Sequence, residues 1–271
     1  MIAEAEWRYR PRNGHLLDIG LNNTYAEATT DGYPERPQRN RTALFATYRL
    51  QNNARRSTLL LGMRQEMVEG EAVPFTWSIG LDHRPWKQLG LRANAARVYR
   101  IPTFNDLYWR PGGDPDLLPE SGYSAELGAG WKDKEGQRWR LQVDAAVYQR
   151  ELDNWIIWLP AGAYWTPQNI MQVRSRGVET NSSLTRRLTK GAIKLSLLTD
   201  HVVSVNRKAR STDDASVDKQ LIYTPMFSGH ARLTWTRGAA SLSLAGHYTG
   251  YRYVSTDNLE YLEPYTLLSA T

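Results

Sequence analysis

Two short clusters hold the side chains best suited to recognition: Tyr108, Trp109 and Arg110 in one, and Trp158, Tyr164 and Trp165 in the other. Rings and a guanidinium on loops bind ligands through flat apolar area and charge. The same rings also pack loops against each other, and both readings stand. Catalytic and metal chemistry find less support. The five histidines, His15, His83, His201, His230 and His247, are scattered without ligand spacing and read as ordinary polar-face residues. Asp114 with Asp116, and Asp213 with Asp214, offer carboxylates to Ca2+, but no glycine-centred calcium loop surrounds them, and aspartate beside Pro or Ser makes turns. There is no cysteine to act as nucleophile, thiolate ligand or disulfide partner. No carboxylate pair marks a glycan-hydrolysing cleft, which leaves a soluble all-β carbohydrate enzyme without its acid and base. Neither enzymatic activity nor a cofactor is expected.

The elements that must position these loops are strands. After Ser121, Tyr123, Ala125, Leu127, Ala129 and Trp131 alternate with Ser124, Glu126, Gly128 and Gly130, the period of a half-buried strand. Thirteen such segments are expected, at about 2–9, 15–27, 41–51, 56–68, 74–84, 89–99, 122–132, 137–158, 170–187, 191–206, 226–236, 240–254 and 265–271. Only Phe104 to Trp109 reads as a helical turn. The connections alternate in length. Short turns are expected at 11–14, 52–55, 85–88, 133–136, 189–191 and 237–239, with longer ones between them at 29–40, 69–73, 100–121, 159–169, 207–225 and 255–264. In an up-and-down meander this alternation puts short turns at one end of the sheet and long loops at the other.

The mean hydropathy of −0.57 and the lack of any long apolar run exclude a spanning helix. They leave open a transmembrane barrel, whose strands average lipid-facing with lumen-facing residues. Ten Trp and fifteen Tyr against four Phe favour rings with a polar handle, which suit a membrane interface. The net charge of +6 sits largely on turn residues such as Arg10, Arg12, Lys132 and Lys134, which reads as a solvated rim and not as a nucleic-acid surface. The opening MIAEAEWRYRP shows no charged start followed by an apolar core, so an exported chain is expected to have more sequence ahead of it.

The stretch RIPTFNDLYW followed by GGDPDLLPESGYSAELGAGW resembles a signature segment of TonB-dependent outer-membrane receptors. Its matching positions are Arg100, Pro102, Thr103, Leu107, Tyr108, Asp114, Pro115, Asp116, Leu117, Pro119, Glu120 and Glu126. Asp114 stands where that family usually has Asn, and Leu118 where it usually has Lys. The later stretches LIYTPMFSGHARLTW and GYRYVSTDNLEYLEPYTLLSAT are similar to late strands of the same family. The prolines bar the excursion from ladder pairing, and Arg100 and Glu120, at the ends of adjacent strands, are placed to pair across it.

The resemblance implies an all-β, antiparallel up-and-down transmembrane β-barrel in the outer membrane of a Gram-negative bacterium. About thirteen of its roughly twenty-two strands fall within residues 1–271, as a partial barrel or an open curved sheet. A plug domain, a TonB box and a closing strand ending in an aromatic are expected to lie outside the sequence. The implied function is active uptake of a scarce ligand, such as a siderophore or cobalamin, energised through TonB. The implied partners are lipid, the plug and the imported molecule. The alternative is a non-transporting barrel, an adhesin or structural pore.

Overall fold

In the computed structural model the described residues are 1–52, 56–209 and 212–271. All but one of the described elements are strands. They are β1 (Ile2–Tyr9), β2 (His15–Glu27), β3 (Gln38–Gln51), β4 (Ser57–Val68), β5 (Glu71–Ala72), β6 (Thr76–His83), β7 (Leu89–Arg100) and β8 (Glu120–Lys132). There follow β9 (Trp139–Ala161), β10 (Tyr164–Leu188), β11 (Gly191–Asn206), β12 (Phe227–Arg237), β13 (Ala240–Thr249), β14 (Arg252–Tyr253), β15 (Tyr261–Leu262) and β16 (Tyr265–Ala270). The single helix, α1 (Phe104–Tyr108), is where the helical turn was expected.

Hydrogen-bonded order follows chain order, β1-β2-β3-β4-β6-β7-β8-β9-β10-β11-β12-β13-β16, with β5 paired to β4 and β14 to β15. All thirteen expected strands are therefore present. The registers from β1 to β4 and from β11 to β16 are antiparallel. β1 and β16 end the order, each with a neighbour on one side.

Two expected boundaries are corrected. The segment 159–169 is not a loop: β9 runs on to Ala161, β10 starts at Tyr164, and Gly162 turns the hairpin at φ 70°. Pro160 and Pro167 look like stops in the sequence, but a hairpin arm tolerates proline wherever the missing N–H would face away from its neighbour. The strand expected to reach residue 254 stops at Thr249, and Arg252–Tyr253 pair instead with Tyr261–Leu262 inside the expected loop. The expected turn at 52–55 lies, beyond Asn52, outside the described residues, as do two residues of the expected loop at 207–225.

The chain divides into two compact units, each containing parts of the long strands. The first comprises Met1–Leu81, Asn94–Ala125 and Arg150–Val173. Within it the short turns adjoin, with Gln51 N–H donating to Gly14 O at 2.7 Å. The long connections adjoin too, through Glu69 N–H to Asn40 O at 3.0 Å and Arg110 N–H to Gly32 O at 2.8 Å. Buried apolar side chains concentrate near those connections, among them Leu117, Leu152, Ile156, Leu159 and Val173.

The second unit comprises Asp82–Ala93, Glu126–Gln149 and Arg174–Thr271. Its short turns also lie side by side, linked by Lys132 N–H to Gln88 O at 2.9 Å and Arg187 N–H to Arg138 O at 2.8 Å. Period two separates its faces. Arg92 donates to Glu126 at 3.0 Å and, through two nitrogens, to Asp144 at 2.6 and 2.8 Å, so all three side chains share one face. Leu127 lies on the other face, 62 % exposed, and Leu141, Leu233 and Leu242 are exposed as well. Leucines left uncovered along one face make an exposed apolar surface of the kind that marks contact with a partner or a membrane.

Two outcomes test this arrangement. A Cβ on Gly122 would lie 1.9 Å from Glu151 O, whereas one on Gly90 meets nothing within 4 Å. Gly122→Ala is expected to cost about 1–3 kcal/mol, and Gly90→Ala to be neutral or slightly stabilising, in denaturant melts in detergent. At the short-turn end, the Asp133 carboxylate accepts Leu141 N–H at 2.8 Å and Trp131 Nε1–H at 2.9 Å, and both bonds hold its pKa below the usual aspartate value. A depressed folded pKa stabilises above the unfolded value of about 3.9, and that contribution disappears as pH falls through the folded pKa. Asp133→Asn is therefore expected to reduce the fall in denaturation midpoint below about pH 4.

Candidate functional site

The segment 100–120 is positioned by charge before it offers anything to a ligand. Pro102 follows the end of β7, and Thr103 caps α1: its hydroxyl accepts Asp106 N–H at 3.1 Å, while Asp106 Oδ2 accepts Thr103 N–H at 2.8 Å. This reciprocal pair satisfies two donors that a helix start otherwise leaves open. Asp106 Oδ1 then accepts Trp158 Nε1–H at 3.0 Å, tying the helix to β9. Arg100 grips Glu120 with two nitrogens, Nε at 2.7 Å and Nη2, and its Nη1 lies 3.7 Å from Asp106. Glu120 also accepts Ile156 N–H at 2.8 Å. Glu120 and Asp106 are 4 % and 6 % exposed, and at that burial a carboxylate needs such a full set of donors.

Asparagines stitch the rest of the loop to the β9–β10 hairpin. Asn169 accepts Leu118 N–H at 2.9 Å and donates to Leu118 O at 3.0 Å and to Asn154 O at 2.6 Å. Asn154, left-handed at φ 55°, donates to Pro119 O at 3.3 Å. Asp114 forms the expected turn, accepting Asp116 N–H at 2.9 Å. On the other flank, Arg39 donates to Pro102 O at 2.7 Å and stacks over Phe104 at 4.8 Å. Tyr33 OH donates to Asn105.

This scaffold brings the two expected clusters together inside the first unit. The Trp109 ring lies against Gly32, where a Cβ would approach it to 2.6 Å, and meets Tyr33 edge-on at 6.3 Å. Gly112 backs onto the other cluster: a Cβ there would fall 2.2 Å from Trp165 O and 3.5 Å from the Tyr164 ring. The six candidates divide by what they touch. Trp158 spends its N–H on Asp106 and is half-buried, so it packs the loop; Tyr108 is also half-buried, its ring 6.2 Å from Phe104. Trp109, Tyr164 and Trp165 remain 40 %, 46 % and 44 % exposed, and Arg110 is exposed beside them. Three open rings and a cation can stack on and charge-match a flat, partly anionic molecule.

The motif positions Arg100, Pro102, Thr103, Leu107, Asp114, Pro115, Leu117, Pro119 and Glu120 build this loop, whereas Glu126 serves the Arg92 network in the second unit. Sequence reasoning missed Asp106, Asn154 and Asn169. The spacing of Thr103 and Asp106 fits a capping pair and gave a local signal for the first; the two asparagines act over long range and gave none.

The family described as TonB dependent receptor-like, beta-barrel matches residues 2–271. Vitamin B12 transporter BtuB of Photobacterium profundum is 28 % identical over 198 residues, covering 71 % of this chain and 30 % of its own. BtuB of Vibrio vulnificus (strain YJ016) is 30 % identical over 195 residues, covering 71 % and 29 %. The chain thus spans about a third of the length of these relatives. Among solved structures, the ferric enterobactin receptor PfeA of Pseudomonas aeruginosa aligns with a TM-score of 0.73 at 18 % identity, over 99 % of this chain and 45 % of that one. The siderophore receptor PirA of Acinetobacter baumannii aligns at 0.71 and 10 % identity, over 99 % and 47 %. With a family match running from the second residue to the last, the chain belongs to the TonB-dependent receptor-like β-barrel family.

Proposed function

We propose that this chain supplies barrel wall and part of the ligand-recognition surface of a Gram-negative outer-membrane receptor, one that takes up a scarce molecule with energy delivered through TonB. The observation that carries the reading is the packing of Gly112, in the loop that carries Trp109 and Arg110, against Tyr164 and Trp165 at the long-loop end of the first unit, on a base held by buried ion pairs. The exposed leucine face supports contact with lipid, and the charged face opposite suits a wet lumen. Relatives named for vitamin B12 and neighbours named for siderophores support a cargo among large, partly planar metal chelates. A plug domain and TonB are the partners this reading requires.

The test is titration of tryptophan fluorescence in detergent with cyanocobalamin and, separately, with a ferric catecholate. Saturable quenching is expected with one of them, and its absence with both would overturn the reading. Trp109→Ala and Trp165→Ala are each expected to weaken binding about tenfold or more, the effect of losing a central aromatic worth ~2 kcal/mol.

Glu120→Ala separates positioning from contact. It leaves the Arg100 fork unpaired and Ile156 N–H without its acceptor. Because Arg100 is half-exposed, the expected cost is about 1–3 kcal/mol, short of that for a fully buried pair. Limited proteolysis is expected to cut within 102–119 at lower protease than in the parent, while Asp116→Asn, at an exposed position, leaves the pattern unchanged.

A further inference from the structure

We propose that His230 and His247 form a two-imidazole chelate for a borderline divalent cation, Cu2+, Ni2+ or Zn2+, on the polar face of the β12–β13 hairpin. The two residues lie on neighbouring strands as direct cross-strand partners. Gly238, at φ 57°, takes the first position of a two-residue turn, and Arg237 pairs with Ala240 across it. In such a hairpin the pair flanking the turn is hydrogen-bonded, and the pairs alternate from there. Counting back, Thr236–Ser241, Thr234–Ser243, Arg232–Ala245 and His230–His247 are the non-hydrogen-bonded pairs, whose side chains approach closest. The Thr234 and Ser243 hydroxyls, 3.1 Å apart, show how close that approach is.

The imidazole centroids stand 6.4 Å apart at 44°. One ion holding both rings at ~2.0–2.1 Å needs its two nitrogens ~3 Å apart, which small side-chain rotations supply. His247 is exposed and His230 half-buried, so an ion from solution can reach them. A further contact prepares one ring. Thr249, 7 % exposed, has its hydroxyl 3.2 Å from His247 Nε2. With Nε2–H donating to Thr249, the lone pair stays on Nδ1, the arrangement by which an oxygen behind a ligating histidine fixes its tautomer.

Charge on the same face comes from Asp200, from Arg232 and, further toward the turn, from Lys194 opposite Thr234. Asp200 pairs with Ser228, two residues from the His230 position, and its Oδ1 is buried with no hydrogen-bond partner. That carboxylate favours a cation and can take up a metal-bound water. Arg232, two positions toward the turn, opposes it. Among the described residues no group of three His, Cys, Asp or Glu is arranged to hold a metal, so the site is a two-histidine chelate completed by water. Imidazole selects copper, nickel and zinc over calcium and magnesium. The inference does not depend on the identity of any transported ligand.

Calorimetry with each metal salt on the full chain in detergent tests the proposal. A single Cu2+, Ni2+ or Zn2+ ion is expected to bind per chain, with no response to Ca2+. His230→Ala and His247→Ala should each weaken binding at least tenfold, and the double variant should lose no more than either single one, because a chelate broken at one arm is already lost. Unchanged affinity in either single variant overturns the site. A second measurement needs no variant: diethylpyrocarbonate footprinting of the parent chain should show His230 and His247 protected by metal and His83 not. Protection confined to His15, His83 or His201 overturns it equally.

Discussion

A strand that carries Leu127 and Trp131 on one face must carry Glu126 and Gly128 on the other, and its backbone hydrogen bonds can go only to strands lying beside it. That constraint shapes everything else in the chain. Chain-order pairing from β1 to β16 satisfies the backbone locally, so no other element has to cross the sheet to complete it. The apolar face then remains uncovered and the charged face must neutralise itself, as Arg92 does with Glu126 and Asp144. Hydrogen bonding, exposed leucines and internal ion pairs are three consequences of one period.

Legibility followed the range of each interaction. Strand existence rests on period two over neighbouring residues, and all thirteen segments could be read. The pairing of Arg100 with Glu120 was also readable, because proline-rich residues between two strand ends bring those ends side by side. The β9–β10 extension was not, because Pro160 and Pro167 signal a stop unless the orientation of each missing N–H is known. Asn169 escaped for another reason: its partners, Leu118 and Asn154, are distant in sequence, and an asparagine in a strand carries no mark of a long-range role.

The histidines show how much register matters. Scattered along the sequence, His230 and His247 looked unrelated. Once Gly238 fixes a two-residue turn, they must be opposite each other, because pairing from Arg237–Ala240 inward leaves no other register. Reading 237–239 as a three-residue connection hid this. A single turn assignment therefore decides whether two polar side chains are solvated independently or act on one ion.

The long-loop end answers a problem that loops create for recognition. A flexible segment carrying Trp109 would have to be ordered on binding, at about 0.5–1.5 kcal/mol for each side chain immobilised. Here that ordering is done during folding. The Thr103–Asp106 cap sets α1, Trp158 and Arg100 anchor its buried carboxylate, and Gly112 lets the loop backbone press against Trp165. The exposed rings then stand on the start of β10 and the end of a capped helical turn, not on a free loop. A surface prepared in this way loses little entropy when it closes on a rigid ligand. The charges of Arg100, Asp106 and Glu120 act only through the loop they hold in place, and on the proposed reading contact with a ligand falls to the exposed Trp109, Arg110, Tyr164 and Trp165.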